Sequence, residues 1–318
     1  MIFIINTIFI NNIYGEPILK IGYSDWPGWI AWEIGIQKNW FKEENVEASF
    51  FWYSAYAESL DAFASGKVDA VCMTNCDALV LGANGKHSKG ILINDFSNGN
   101  DMIIAKPGIT KIIDLKNKKI GLEIGLLEHL LVLSALEKNE MKESDVIIVN
   151  IPTDKTPLAL ESGKVDAIAA WQPSAGEALK NVPASKPIFT SADTKGLIYD
   201  LLFVSDESLK IHSEKWKKVV KVWFKIVDYI KNPANKDEIL KILSQRANMT
   251  PQEYDTILKG IFIMDIPANK RAYIKKDSLN SIFGSCKNAN NFNVKYKIYK
   301  DYQDIDSYIY PDFINSLQ

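Results

Sequence analysis

The chain has 318 residues, 47% of them hydrophobic, and its 37 basic and 39 acidic residues leave a formal net charge of −2. That balance excludes the strong basic excess of a nucleic-acid footprint, and the length allows about two domains. Three cysteines are too few for a disulfide framework, and an odd number leaves at least one unpaired.

The opening stretch, MIFIINTIFINNIYGEP, is apolar and interrupted by Asn. It reads as the hydrophobic region of a signal peptide ending near Tyr14-Gly15, incomplete because the basic leader is missing. A native β-strand is the alternative. No Cys of lipid-anchor type follows, and no run of ~18 apolar residues calls for a membrane-spanning helix. ILKIGYS is a strand and WIAWEIGIQKNWF has apolar residues at helical spacing. VEASFFWY is the next strand and AESLDAFAS a helix that Gly66 suits as its end. VDAVCMT is a strand, CDALVLGANG opens a helix, and GILINDFS is a further strand. Then follow DLKNKKIGLE, the helix LLEHLLVLSALEKNEM, the strand SDVIIVNIP and TPLALESGKVDAIAAW. From about Ser205 the pattern turns helical. SEKWKKVVKVWFKIVDYIKN is amphipathic and stopped by Pro233, and TPQEYDTILKG carries an N-cap candidate at Thr250 with Pro251 behind it. The last 50 or so residues are rich in Asn, Lys and Tyr and read as a helical tail on the first lobe.

One six-residue word, SGKVDA, occurs twice, at 65–70 and 162–167. Lys20-Ile21-Gly22 also returns as Lys119-Ile120-Gly121. The offsets, 97 and 99, nearly agree, so the chain reads as a duplicated β-α-β-α unit. Strands alternating with helices predict a parallel sheet covered on both faces in each copy. The repeated word itself is structural: Gly ends a helix, Val is buried and Asp-Ala enters a strand. Ligands of such sheets bind at the carboxyl ends of the strands, here MTNCD at 73–77 and AWQPSAG at 170–176.

These features resemble the type II periplasmic solute-binding proteins of ABC importers over roughly residues 17–240. IGYSDWPGWIAWEIGIQKNWFKEENVEASFFWY, SLDAFASGKVDA and DLKNKKIG resemble the nitrate/sulfonate/taurine branch. CMTNCDAL and NDFSNGND are similar to binding proteins encoded beside urea carboxylase. The resemblance implies an α/β fold of two similar doubly wound lobes with a helical C-terminal segment. Its expected division is 1–15 signal segment, 16–104 first lobe, 105–200 second lobe, and 201–318 return to the first lobe and helical end. Crossovers are expected near Met102–Lys106 and Tyr199–Phe203. The implied protein is a monomeric, extracytoplasmic subunit that hands a small solute to membrane permease subunits. It implies no catalysis, cofactor, metal or nucleic acid. The binding residues it implies are Ser24, Asp25, Trp26 and Trp29 in the first loop, and Thr74, Asn75 and Asp77 after the first repeat. Glu123 and Gly125 follow in the second-lobe loop, and Trp171 and Gln172 close the set.

Each candidate has a plainer reading. Trp29 and Trp32 share a helix face and could be core, whereas Trp26 precedes Pro27-Gly28 in a loop and suits a cleft wall. Asp77 could simply cap a helix, and DFSNGND at 95–101 could be ordinary Asx-turn chemistry. Cys72 and Cys76 have no nearby partner pair for zinc and read as buried apolar residues. None of His87, His129 and His212 falls in a metal or triad spacing; His129, in the helix after Glu123-Ile124-Gly125, could edge the cleft but has the plainer reading of a structural or exposed histidine. The two arginines, Arg246 and Arg271, lie outside the cleft loops, so an anion would lack a bidentate clamp. Those loops carry Asp25, Asp77, Asp95, Asp101, Glu123 and Glu128 instead. Acids beside Trp faces rank a small nitrogen-rich cation or amide above the anions of the branch. The alternatives are an enzyme like the thiamine-pyrimidine synthases, whose run of adjacent cysteines is absent here, and a ligand sensor.

Overall fold

The computed structural model describes residues 18–317; the expected signal segment at 1–15 lies outside them. The first sheet has six strands in the order β11-β4-β10-β3-β1-β2, where β1 is Leu19–Tyr23, β2 Ala48–Trp52, β3 Ala70–Thr74, β4 Ser88–Ser97, β10 Tyr199–Ser205 and β11 Ile261–Ile263. The second has five in the order β7-β6-β8-β5-β9, where β5 is Met102–Ala105, β6 Lys119–Leu122, β7 Ile147–Asn150, β8 Ala167–Ala170 and β9 Lys186–Thr190. Each sheet has a parallel core of three strands, β2-β1-β3 and β7-β6-β8. Next to each core lies an antiparallel strand, β10 in the first sheet and β5 in the second. An all-parallel sheet was the expectation from periodicity. The sheets are mixed because β10 and β5 enter from the opposite lobe and run back along it.

The repeated word does the same work in both lobes. Gly66 and Gly163 end their helices at φ 74° and 80°, a region that favours glycine. Val68 and Val165 are buried against Gly22 and Gly121, whose missing Cβ atoms would sit 3.4 and 3.5 Å from them. The Asp69 carboxylate accepts the Lys20 backbone N–H at 2.8 Å, and Asp166 accepts that of Lys119 at 2.9 Å. In return the Asp69 and Asp166 amides donate to the Lys20 and Lys119 carbonyls.

The chain leaves the first sheet after Ser97 and enters the second at Met102; it leaves the second after Thr190 and re-enters the first at Tyr199. The expected crossover residues 102–106 and 199–203 therefore fall largely within strands, and the polar turns before them do the crossing. The two crossings are bonded together. Ser191 Oγ lies 2.6 Å from Ser97 Oγ and accepts the Gly99 N–H at 2.7 Å, while the Ser191 N–H donates to the Asp101 carbonyl at 2.9 Å.

Helix Asp206–Lys231 presents Trp216, Val219, Val220, Trp223 and Val227 to the core at helical spacing, and the rings of Trp223 and Trp32 are 4.5 Å apart. Thr250 and Glu253 form a capping box ahead of helix Pro251–Leu258. The C-terminal segment fastens to the first lobe through helix Ile282–Lys295. Ser285 Oγ there accepts from Asn75 Nδ2 at 3.0 Å and donates to the Leu197 carbonyl at 2.9 Å. No helix among the described residues is long and apolar enough to cross a membrane.

Candidate functional site

The carboxyl ends of the parallel strands in the two sheets meet at a small cavity of about 10 Å³, room for a single water-sized group while the lobes are closed. Trp26, Trp29, Tyr56 and Thr74 line it from the first lobe, Leu127 and Trp171 from the second, and Asp101, Ile198 and Asp200 from the crossings. The aromatic walls form a chain. Ring centroids are 6.4 Å apart for Trp26–Trp29, 5.3 Å for Trp29–Tyr56 and 5.6 Å for Tyr56–Trp171, the last pair edge-on.

Behind this lining the polar groups are acids. Asp77 Oδ2 accepts from the Tyr56 hydroxyl at 2.7 Å and from Thr74 Oγ1 at 2.9 Å, and Thr74 caps the helix Asn75–Ala83. Asp95 Oδ1 accepts the Trp26 indole N–H at 3.0 Å. Its other oxygen touches Gly28 so closely that a Cβ there would come within 1.9 Å. Asp200 lies directly across from Asp95 in the β10–β4 register. Among the described residues Asp77 Oδ1, Asp95 Oδ2, Asp101 Oδ2, Asp200 Oδ2 and both oxygens of Glu128 are buried with no hydrogen-bond partner. A buried carboxylate left in that state is costly, so it takes up a proton or meets a counter-charge.

Burial pushes the carboxyls of Asp77, Asp95 and Asp101 up to about 7, against the opposing hydrogen bonds to Asp77 from Tyr56 and to Asp95 from Trp26. Burial also holds Asp200 and Glu128 well above the usual carboxylate range, with neighbouring carboxylates adding to the effect. Asp95 and Asp200 are too close to ionise together, so the pair retains a proton. Among the described residues no Lys or Arg lines the cavity. Arg246 pairs with Glu33 and lies over the Trp52 ring, away from it.

Of the expected residues, Trp26, Trp29, Thr74 and Trp171 line the cavity and Asp77 stands directly behind it. Ser24 is buried beside the first loop, its hydroxyl unpartnered. Asp25 and Glu123 flank a second, outer space with Trp171. The Asn75 amide is occupied elsewhere, donating to Ser285 and accepting the Tyr199 N–H at 3.0 Å. Gly125 turns the chain at φ 87° and donates to His129 Nδ1, whose other nitrogen meets Glu143. Gln172 Oε1 accepts the Gly176 N–H at the start of the next helix. Sequence reasoning missed Tyr56, Leu127, Ile198 and Asp200. A lone Asp inside the apolar run GLIYDLLFV was the available signal for the last.

A sequence family described as NMT1/THI5 like matches residues 27–236, more than half of the chain. A Brucella abortus protein provisionally described as a binding protein is 28% identical over 176 residues, 55% of this chain and 54% of that one. The chain thus spans about half the length of such curated relatives. Among solved structures, the periplasmic aliphatic sulphonate binding protein SsuA of Escherichia coli has a similar fold, with a TM-score of 0.77 at 15% identity over 92% of each chain. The periplasmic nitrate-binding protein NrtA of Synechocystis aligns with a TM-score of 0.72 at 11% identity, over 94% of this chain and 87% of that one.

Proposed function

The chain belongs to the NMT1/THI5-like family, and from that premise we propose that it is an extracytoplasmic solute-binding subunit of an ABC importer. In this reading it captures a small, nitrogen-rich cation between its lobes and delivers it to permease subunits. The carrying observation is the cavity itself: aromatic walls, unpartnered buried carboxylate oxygens, and no Lys or Arg lining it among the described residues. A cation supplies the missing donors and counter-charge at once, and Trp and Tyr faces add cation–π attraction. A sulfonate or nitrate would meet like charge there, so the likeness to sulfonate- and nitrate-binding folds is taken as a likeness of scaffold. The acids are not grouped to hold a metal ion among the described residues, which favours an organic cation. Burial raises all three thiols, Cys286 to about 12, leaving little thiolate for nucleophilic work.

The test is calorimetric titration of the purified protein with guanidinium, urea, taurine and nitrate. Guanidinium is expected to bind, and Trp26→Ala or Trp171→Ala to weaken it by roughly 1–3 kcal/mol without unfolding the protein. Tight binding of taurine or nitrate, with none of guanidinium, overturns the cationic reading.

A further inference from the structure

The space between the lobes has two chambers. The outer one, about 200 Å³, adjoins the inner cavity, which holds only a water-sized group, and Tyr56 and Trp171 line both. Asp25 enters the outer chamber from the first lobe and Glu123 and Asp154 from the second. Asp154 is already paired with Lys155 at 2.7 Å. Among the described residues no Lys or Arg lines this chamber beside Asp25 and Glu123: Asp25 Oδ1 is buried without a partner although the Trp171 indole acts on the same carboxyl, and Glu123 accepts from the Thr153 hydroxyl and backbone N–H. Burial raises both carboxyls, that of Asp25 to about 7. In the inner chamber Asp101 and Asp200, each 2% exposed, line the cavity, and Oδ2 of each is buried without a partner. A solute with a single positive group can satisfy one of these chambers and leaves the other acidic and unmatched.

We propose that the solute is two-headed: one cationic nitrogen group sits with Asp101 and Asp200, a second sits between Asp25 and Glu123, and an apolar link joins them along the faces of Tyr56 and Trp171. This rests on the solute-binding reading above and names its ligand class as a terminal diamine or amino-guanidine. A charge-assisted contact at the second head adds roughly tenfold to hundredfold in affinity.

Calorimetry on the whole protein with matched pairs separates the cases: putrescine against butylamine, and agmatine against butylguanidine. The expected result is that each two-headed compound binds roughly tenfold or more tightly than its one-headed match. In the double variant Asp25→Asn, Glu123→Gln the ratio should fall to about threefold or less. Equal affinity within the pairs on the wild-type protein overturns the proposal and leaves the cationic reading standing. Binding by none of the four overturns it too, and binding of taurine or nitrate in their place marks failure of the cationic reading itself. The wild-type comparison needs no variant to fold.

Discussion

Asp200 is an acidic residue near the start of a β-strand, buried and facing a second carboxyl. Together with Asp77, Asp95, Asp101 and Glu128 it makes the ligand-free protein sensitive to pH in a defined direction. In the unfolded chain these groups ionise near their ordinary values, about 3.8 for Asp. In the folded chain burial moves three of them to about 7 and two well above the usual range. Between those values the folded state binds more protons than the unfolded one, so stability is greatest at low pH and falls as pH rises from about 4 to about 7. Exposed carboxyls held low, such as those of Asp114 and Glu253, act only below that window. The melting temperature without solute should therefore drop by ~5 °C or more between pH 5.5 and 8. Saturating guanidinium should shrink that drop. A melting temperature that is flat or rises over this range counts against the buried cluster. That Trp26, Thr74 and Trp171 would lie at the mouth between the sheets was legible in the sequence, because they stand at or just beyond strand ends. Tyr56 and Asp200 were not, since a helix start and an acid at the second position of a strand take their place at the cavity from tertiary packing alone.

Among the elements, the duplicated Asp of SGKVDA is the clearest case of a side chain completing a sheet. Asp69 and Asp166 each close a two-way bond with the first strand of their lobe, at Lys20 and Lys119. Removing either carboxylate leaves a strand N–H without its acceptor. Asp69→Ala and Asp166→Ala should each cost about 1–2 kcal/mol in denaturant unfolding, and the two losses should add because the sites share no partner. Losses below about 0.5 kcal/mol in both variants would reduce the bond to a surface contact. The repeat was visible because its words are identical, and the caps at Gly66, Gly163 and Thr250 follow from local chemistry. Strand direction was not visible. The apolar period of β5 and β10 is the same whichever way they run, and only the return of the chain between lobes sets it.

At the scale of the whole molecule, the two crossings are joined through Ser191 and tied to the C-terminal segment. The Asn98 N–H donates to the Gly260 carbonyl, Asn100 Nδ2 to that of Ile257, and the Tyr199 hydroxyl to that of Leu279. In the proposed solute-binding cycle this makes the crossings turn as one axis. Ser191→Ala removes the bridging hydroxyl and should loosen that axis. Apparent affinity should weaken by about threefold to tenfold as the closed fraction falls, and small-angle scattering of the ligand-free variant should show a broader, more open distribution. Unchanged affinity and scattering would mean the crossings move independently. The same bridge also has an electromechanical consequence. Asp101 ends one crossing and Asp200 follows the other, and the Asp101 charge, with that of Asp95, adds to burial in raising the hold of Asp200 on its proton. Like charges are thus mounted on the pivot itself, with almost no lever arm between them and the rotation. Whatever cation enters between them acts as a latch as well as cargo, because it turns a repulsion across the axle into an attraction.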